Sequence, residues 1–158
     1  MRIAIAADHA GYRYKSRLAE DLRESGHQVL DFGTDGPEPV DYPDFARVVA
    51  ESVLGGESER GILICGSAVG VCVVANKLPG IRAGVCHDTY SARQSVEHDD
   101  VNILCMGERV IGIELARAIV ETFVSARFSG EERHTRRLAK LKAIEREFLN
   151  AERIESRT

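Results

Sequence analysis

A cysteine that ends an apolar run and is followed at once by a turn and the start of a helix is the arrangement in this chain with the clearest chemical capacity. The segment is Gly61-Ile62-Leu63-Ile64-Cys65-Gly66-Ser67-Ala68-Val69-Gly70. The Ile-Leu-Ile run reads as a strand covered on both faces, and the turn feeds a helix beginning near Val69. The N–H groups and positive dipole end of a helix N-terminus stabilise a thiolate and any oxyanion formed beside it. Cys65 is therefore a candidate nucleophile or base, although a free cysteine is also a common small buried residue. That blander reading is the expected one for Cys72, inside the following helix, and for Cys86 and Cys105 at later strand ends. Spacing excludes two familiar anion loops: Val71 stands where a Cys-x5-Arg loop needs arginine, and no lysine follows Gly66 and Gly70 as a P-loop requires. The dinucleotide-binding glycine pattern does not match either.

Other reactive groups lie in connecting segments. Asp8-His9-Ala10-Gly11 follows the first strand. In open parallel sheets, ligands bind beyond the carboxyl ends of the strands where strand order reverses. For a flavodoxin-like start those ends are Asp8–Gly11 and Cys65–Ser67, which would bring an acid, an imidazole, a thiol and a hydroxyl to one crevice. Asp8-His9 could instead be a turn and cap for the next helix. Arg133 and Arg137, spaced i, i+4, could fork onto one phosphate or form a solvated face. Arg109 could face the crevice or join a salt bridge. His98, among Glu97, Asp99 and Asp100 at a helix C-terminus, could be a cap or an acid–base group.

The elements that must position these groups alternate in type. Strands are predicted at Ile3–Ala7, Gln28–Phe32, Ile62–Cys65, Arg82–Cys86 and Asn102–Met106, without a linker or internal repeat. This alternation predicts an α/β fold with a parallel sheet covered by helices on both faces. Helices are predicted from near Gly11 to a C-cap glycine at Gly26, then from Pro43 to Leu54, Val69 to Leu78, Thr89 to Glu97, Ile111 to Ala126 and Arg133 to Leu149. The last carries an apolar stripe of Leu138, Leu141, Ile144 and Phe148, of the kind that packs on a partner subunit.

At 158 residues the chain is expected to be one domain over 1–150 with a polar tail at 151–158. It contains 44% hydrophobic residues and no run approaching a membrane span. Met1-Arg2 leads straight into an expected strand, so no signal peptide is expected, and the four cysteines lack Cys-x2-Cys pairs. A cytoplasmic location is the expectation, with no membrane partner. The net charge of −4 argues against a general nucleic-acid partner.

The residues also carry a family resemblance. The chain resembles the type B branch of the ribose/galactose isomerase family in Asp8-His9-Ala10-Gly11-Tyr12, Asp41-Tyr42-Pro43, Gly61 to Lys77, Gly80-Ile81-Arg82-Ala83, Tyr90-Ser91-Ala92, His98, Gly107 to Gly112, Arg133-His134 and Arg137. The match runs in order through nearly the whole chain. It implies a three-layer, Rossmann-like fold with a five-stranded parallel sheet, and a C-terminal helix that packs on a partner subunit. The implied reaction interconverts ribose 5-phosphate and ribulose 5-phosphate by moving a proton between C1 and C2 through a cis-enediolate. One branch of the family uses a cysteine matching Cys65 as base, and another a glutamate matching Val71, so the chain resembles the cysteine branch.

By the same resemblance, His98 opens the furanose ring, Asp8 contacts the sugar and Tyr42 lines the pocket. His9, Arg109, Arg133 and Arg137 bind the phosphate. Ser67 and the backbone of Gly66, Ala68, Val69 and Gly70 are then placed to hold the enediolate. No metal or organic cofactor is implied. The partner is a second copy, in a homodimer or a dimer-based tetramer, with His98 facing Cys65 of the other subunit.

Two departures bear on the substrate. Asp99 stands where the family commonly has an asparagine that contacts the sugar, which adds negative charge beside an anionic ligand. Ala68 stands where glycine is common and restricts the backbone of the turn. Another phosphosugar substrate, such as a tetrose, allose or galactose phosphate, and a non-catalytic phosphosugar-binding module are the alternatives.

Overall fold

The computed structural model describes residues 1–155, and the surroundings of side chains through residue 149. Eleven elements follow one another among the described residues, strands and helices alternating until a final pair of helices: β1 (Arg2–Ala7), α1 (Tyr12–Glu24), β2 (Gln28–Asp31), α2 (Tyr42–Leu54), β3 (Arg60–Cys65), α3 (Val69–Ala75), β4 (Ala83–Val85), α4 (Thr89–Asp99), β5 (Ile103–Gly107), α5 (Ile113–Ser125) and α6 (Glu132–Glu155). The five strands form one sheet in the order β2-β1-β3-β5-β4, and every pairing is parallel. Order reverses between β1 and β3, where the Asp8 and Cys65 segments emerge side by side.

Strand alternation sorts the core into two layers. Ile3, Ile5, Ile62, Ile64, Leu104 and Met106 point to one face and pack with Leu18, Leu22, Ile119 and Phe123 of α1 and α5. Ala4, Ala6, Leu63, Cys65, Ile103 and Cys105 point to the other, against Val49 of α2 and Val71 and Ala75 of α3. Each fully buried Ile, Leu or Phe contributes about 1.5–3 kcal/mol. Small side chains on β1's second face let α2 lie close to the sheet beside the site.

Some boundaries match those expected and others differ. The α1 helix ends as predicted, with Gly26 at φ 84°; the His27 and Gly26 N–H groups donate to the Leu22 and Arg23 carbonyls. The α3 helix stops at Ala75 rather than Leu78, because the Asn76 amide turns to exchange hydrogen bonds of 2.9 Å with both the N–H and the carbonyl of Ala83. That contact covers part of the free edge of β4, which is only three residues long. The last helix passes the predicted end at Leu149 and runs to Glu155. Part of the segment expected as a tail is thus helical, and residues 156–158 lie outside those described. Along the predicted stripe Leu138 is buried, whereas Leu141, Ile144 and Phe148 are exposed.

Candidate active site

Ten of the residues singled out in the sequence meet beyond the carboxyl ends of β1, β3 and β5 and at the starts of α2 and α3. An open cavity of about 470 Å³ there is lined by Asp8, His9, Tyr42, Cys65, Gly66, Ser67, Gly70 and Arg109, together with Ala10 and Val110. Ala68 and Val69 complete the turn beneath it. The Asp8 carboxylate accepts from the Ala10 N–H at 2.9 Å, and the Asp8 carbonyl accepts from Gly11. Asp8 therefore shapes the turn and does not cap α1, whose N-cap is Gly11. A Cβ on Gly11 would sit 2.6 Å from the Ile64 carbonyl, so only glycine lets this turn lie against the end of β3. A Cβ on Gly70 would likewise lie 2.9 Å from the ring of Tyr42, which covers the start of α3.

The cysteine turn has a specific internal geometry. The Ala68 N–H donates to Cys65 Sγ at 3.1 Å, fixing the sulfur of a residue that is 6% exposed. Ser67 Oγ accepts from Val69 N–H at 3.4 Å. The Ala68 N–H is thus occupied by the thiol, which narrows the expected anion cradle; the Gly70 and Val71 N–H groups, in the first turn of α3, have no intrahelical acceptor. Ala68 itself has φ 74°. An L-residue in the left-handed region costs about 1–2 kcal/mol. Its fully buried methyl and the bond to the thiol oppose that cost.

His9 is held by Val40, whose N–H lies 3.3 Å from Nδ1. A backbone N–H can only donate, so Nδ1 accepts and the neutral ring carries its proton on Nε2. Arg109 stretches across Gly66: a Cβ there would be 3.5 Å from Arg109 Cδ. The Arg109 N–H donates to the Gly66 carbonyl at 3.1 Å.

His98, Asp99, Arg133 and Arg137 lie elsewhere. Helix α4 leaves the carboxyl end of β4 and runs back, so its last turn, with His98 and Asp99, reaches the amino end of the sheet. There Arg82, just before β4, binds the Asp100 carbonyl and carboxylate at 2.7 Å each. Arg60, at the start of β3, donates to the Phe123 and Ala126 carbonyls at the end of α5. The chain then turns into α6, and the His134 ring stacks on His98 with centroids 4.0 Å apart. Arg60 and Cys65 are five strand steps apart, about 16 Å. One chain therefore carries the two groups of residues at opposite ends of its sheet.

Sequence reasoning passed over two residues of consequence here. His134 is 1% exposed and pairs through Nδ1 with Ser129 Oγ at 2.7 Å. Burial, then the neighbouring His98 and Arg133, hold it below the usual imidazole range. Glu108 reaches from β5 to the first turn of α1, accepting from Arg13 Nε and the Tyr14 N–H. The other thiols stand apart from the cavity. Cys86 and Cys105 are buried, and burial pushes both upward. Half-buried Cys72 is drawn down to about 7, first by a hydrogen bond with Cys105, yet its thiol turns to the Ala83 carbonyl at 3.4 Å.

Such a sheet, with a thiol, an imidazole and an arginine lining one cavity at its switch point, is the scaffold of an α/β enzyme. The chain belongs to the ribose/galactose isomerase family, whose model matches residues 3–141. It is 46% identical to ribose-5-phosphate isomerase B of Escherichia coli over 91% of this chain and 96% of that one. It is 42% identical to the D-erythrulose-4-phosphate isomerase of Pectobacterium atrosepticum, over 82% and 86% of the two chains. The solved structure of Clostridium thermocellum ribose-5-phosphate isomerase B superposes with a TM-score of 0.91 at 51% identity, covering 94% of this chain and 99% of that one. No helix among the described residues is long and apolar enough to cross a membrane.

Proposed function

We propose that this chain is an aldose–ketose isomerase interconverting ribose 5-phosphate and ribulose 5-phosphate. In this reading it works in the cytoplasm as a homodimer or dimer-based tetramer, with no metal or organic cofactor. The observation that carries the reading is the fixed Cys65 sulfur lining a cavity between His9 and Arg109. Relatives named for this reaction support the choice of pentose.

The phosphate is held by His9 Nε2–H and Arg109, joined by Arg133 and Arg137 of a second copy. His98 of that copy moves a proton between the ring oxygen and the anomeric hydroxyl as the furanose opens, and Asp8 accepts from a sugar hydroxyl. The Cys65 thiolate takes the C2 proton of the open aldose. The C–H electron pair forms the C1–C2 double bond, and the C1 oxygen gains negative charge. Ser67 and the first N–H groups of α3 stabilise that charge. The O2 proton passes to O1 and the thiol returns its proton to C1, leaving the carbonyl at C2. Val71, buried and without a proton acceptor, offers no alternative base.

A second reading, a tetrose phosphate isomerase, is favoured by the relatives named for erythrulose 4-phosphate. One experiment separates these: the protein is incubated with pentose, tetrose and hexose phosphates in heavy water. Deuterium entering C1 or C2 of ribose 5-phosphate fastest supports the proposal, and faster exchange into a tetrose phosphate replaces it with the second reading. Binding without exchange into any sugar would make the chain a phosphosugar-binding module.

A further inference from the structure

Arg109 and His9 line two adjoining cavities, the one above Cys65 and another of about 600 Å³ over the start of α1. A single residue fastens the parts that carry them. The Glu108 N–H donates to the Cys65 carbonyl at 2.9 Å, and the next N–H, of Arg109, donates to Gly66. Its side chain, 6% exposed, points the other way. One carboxylate oxygen accepts from Arg13 Nε at 2.9 Å and the other from the Tyr14 N–H at 3.2 Å. Tyr14 completes the join by donating its hydroxyl to the Ile111 carbonyl at 3.0 Å. Helix α1 has no acidic residue in its first turn and no side-chain cap of its own. Its cap is thus supplied from 94 residues away, by the neighbour of Arg109.

A carboxylate beside an anion cradle opposes phosphate binding on charge alone. Its benefit must lie in geometry. We propose that Glu108 is a positioning residue that holds the Arg109 guanidinium and the His9 turn at a fixed separation, so that both reach one phosphate. The inference rests on the proposed phosphate role of His9 and Arg109.

Its test uses Glu108→Ala, Glu108→Gln and Arg109→Ala in the full-length protein. KM and kcat for ribose 5-phosphate, competitive inhibition by inorganic phosphate, and melting temperature are measured for each. Glu108→Ala should weaken phosphate inhibition and raise KM together by about tenfold while kcat stays within about threefold, because misplaced binding groups lose ground-state affinity. Glu108→Gln, which keeps an amide oxygen for the Tyr14 N–H, should fall between it and the parent. A residue that only stabilises the fold would lower the melting temperature and leave phosphate inhibition unchanged. That result in Glu108→Ala overturns the inference alone if Arg109→Ala weakens phosphate inhibition, and overturns the phosphate reading as well if it does not. Should Glu108→Ala fail to fold, unchanged phosphate inhibition in Glu108→Gln overturns it.

Discussion

Two thiols on the same side of the sheet have different fates, and the difference lies in what each faces. Cys72 is the one drawn down to about 7, yet it turns to the Ala83 carbonyl of β4. Cys65 lines the cavity, and its sulfur is held by the Ala68 N–H. Replacing Cys65 with alanine should leave the fold intact and reduce turnover by about 10³-fold, the scale of a lost general base. Cys72→Ala should keep turnover within a few-fold; a reversal of these two results in steady-state assays would move the base to Cys72. His134 offers a pH-dependent counterpart. Its folded pKa lies below 6.5, so its neutral form supports the fold above that value, and the support is lost as pH falls through the folded pKa. His134→Phe keeps a ring against His98 but cannot titrate. Thermal melts from about pH 7.5 down to about pH 5 should show a smaller loss for the variant than for the parent. His27, also lowered by burial, titrates in both proteins and leaves a common residual slope.

Among elements, the joins that build the cavity are backbone contacts too close for any side chain. A Cβ on Gly11 would press on the Ile64 carbonyl at 2.6 Å, and neither strand end can yield easily because both are paired in the centre of the sheet. Gly11→Ala should destabilise the protein by about 1–3 kcal/mol, as overpacking does. It should also lower kcat/KM by displacing His9; denaturant unfolding and kinetics on the same sample would show both or refute the join. This level also explains what could be read in advance. Asp8, His9 and Cys65 were legible because each ends an apolar run, and strand ends at a switch point are where parallel sheets place ligands. The helix ends were legible where a glycine marked them, as at Gly26, and less so where a side chain intervened, as Asn76 does at α3. The place of β5 between β3 and β4 and the reach of Glu108 to α1 depend on pairings far apart in sequence, for which no local signal exists. The role of Ala68 was half legible: the unusual residue type stood out, and its φ of 74° became visible only in the fold.

At the scale of the whole molecule, the sheet itself keeps His98 from Cys65, since α4 and α6 carry the second group of residues to its amino end. Exposed Leu141, Ile144 and Phe148 on α6, with Val69 and Val73 on α3, leave apolar surface that a second copy can cover. Mixing Cys65→Ala with His98→Ala under conditions of subunit exchange tests this arrangement. About half the dimers become hybrids, each with one complete site, so roughly a quarter of parental activity should return. No recovery despite demonstrated exchange would place both groups in one chain. A site divided in this way also has a bearing on how the protein comes to life. In the proposed dimer a lone chain is silent, because the residues that complete its site are on a second copy. Activity then depends on encounter: on dilution it should fall faster than the number of chains, and after refolding it should lag behind the return of secondary structure by a delay that shortens as more protein is present.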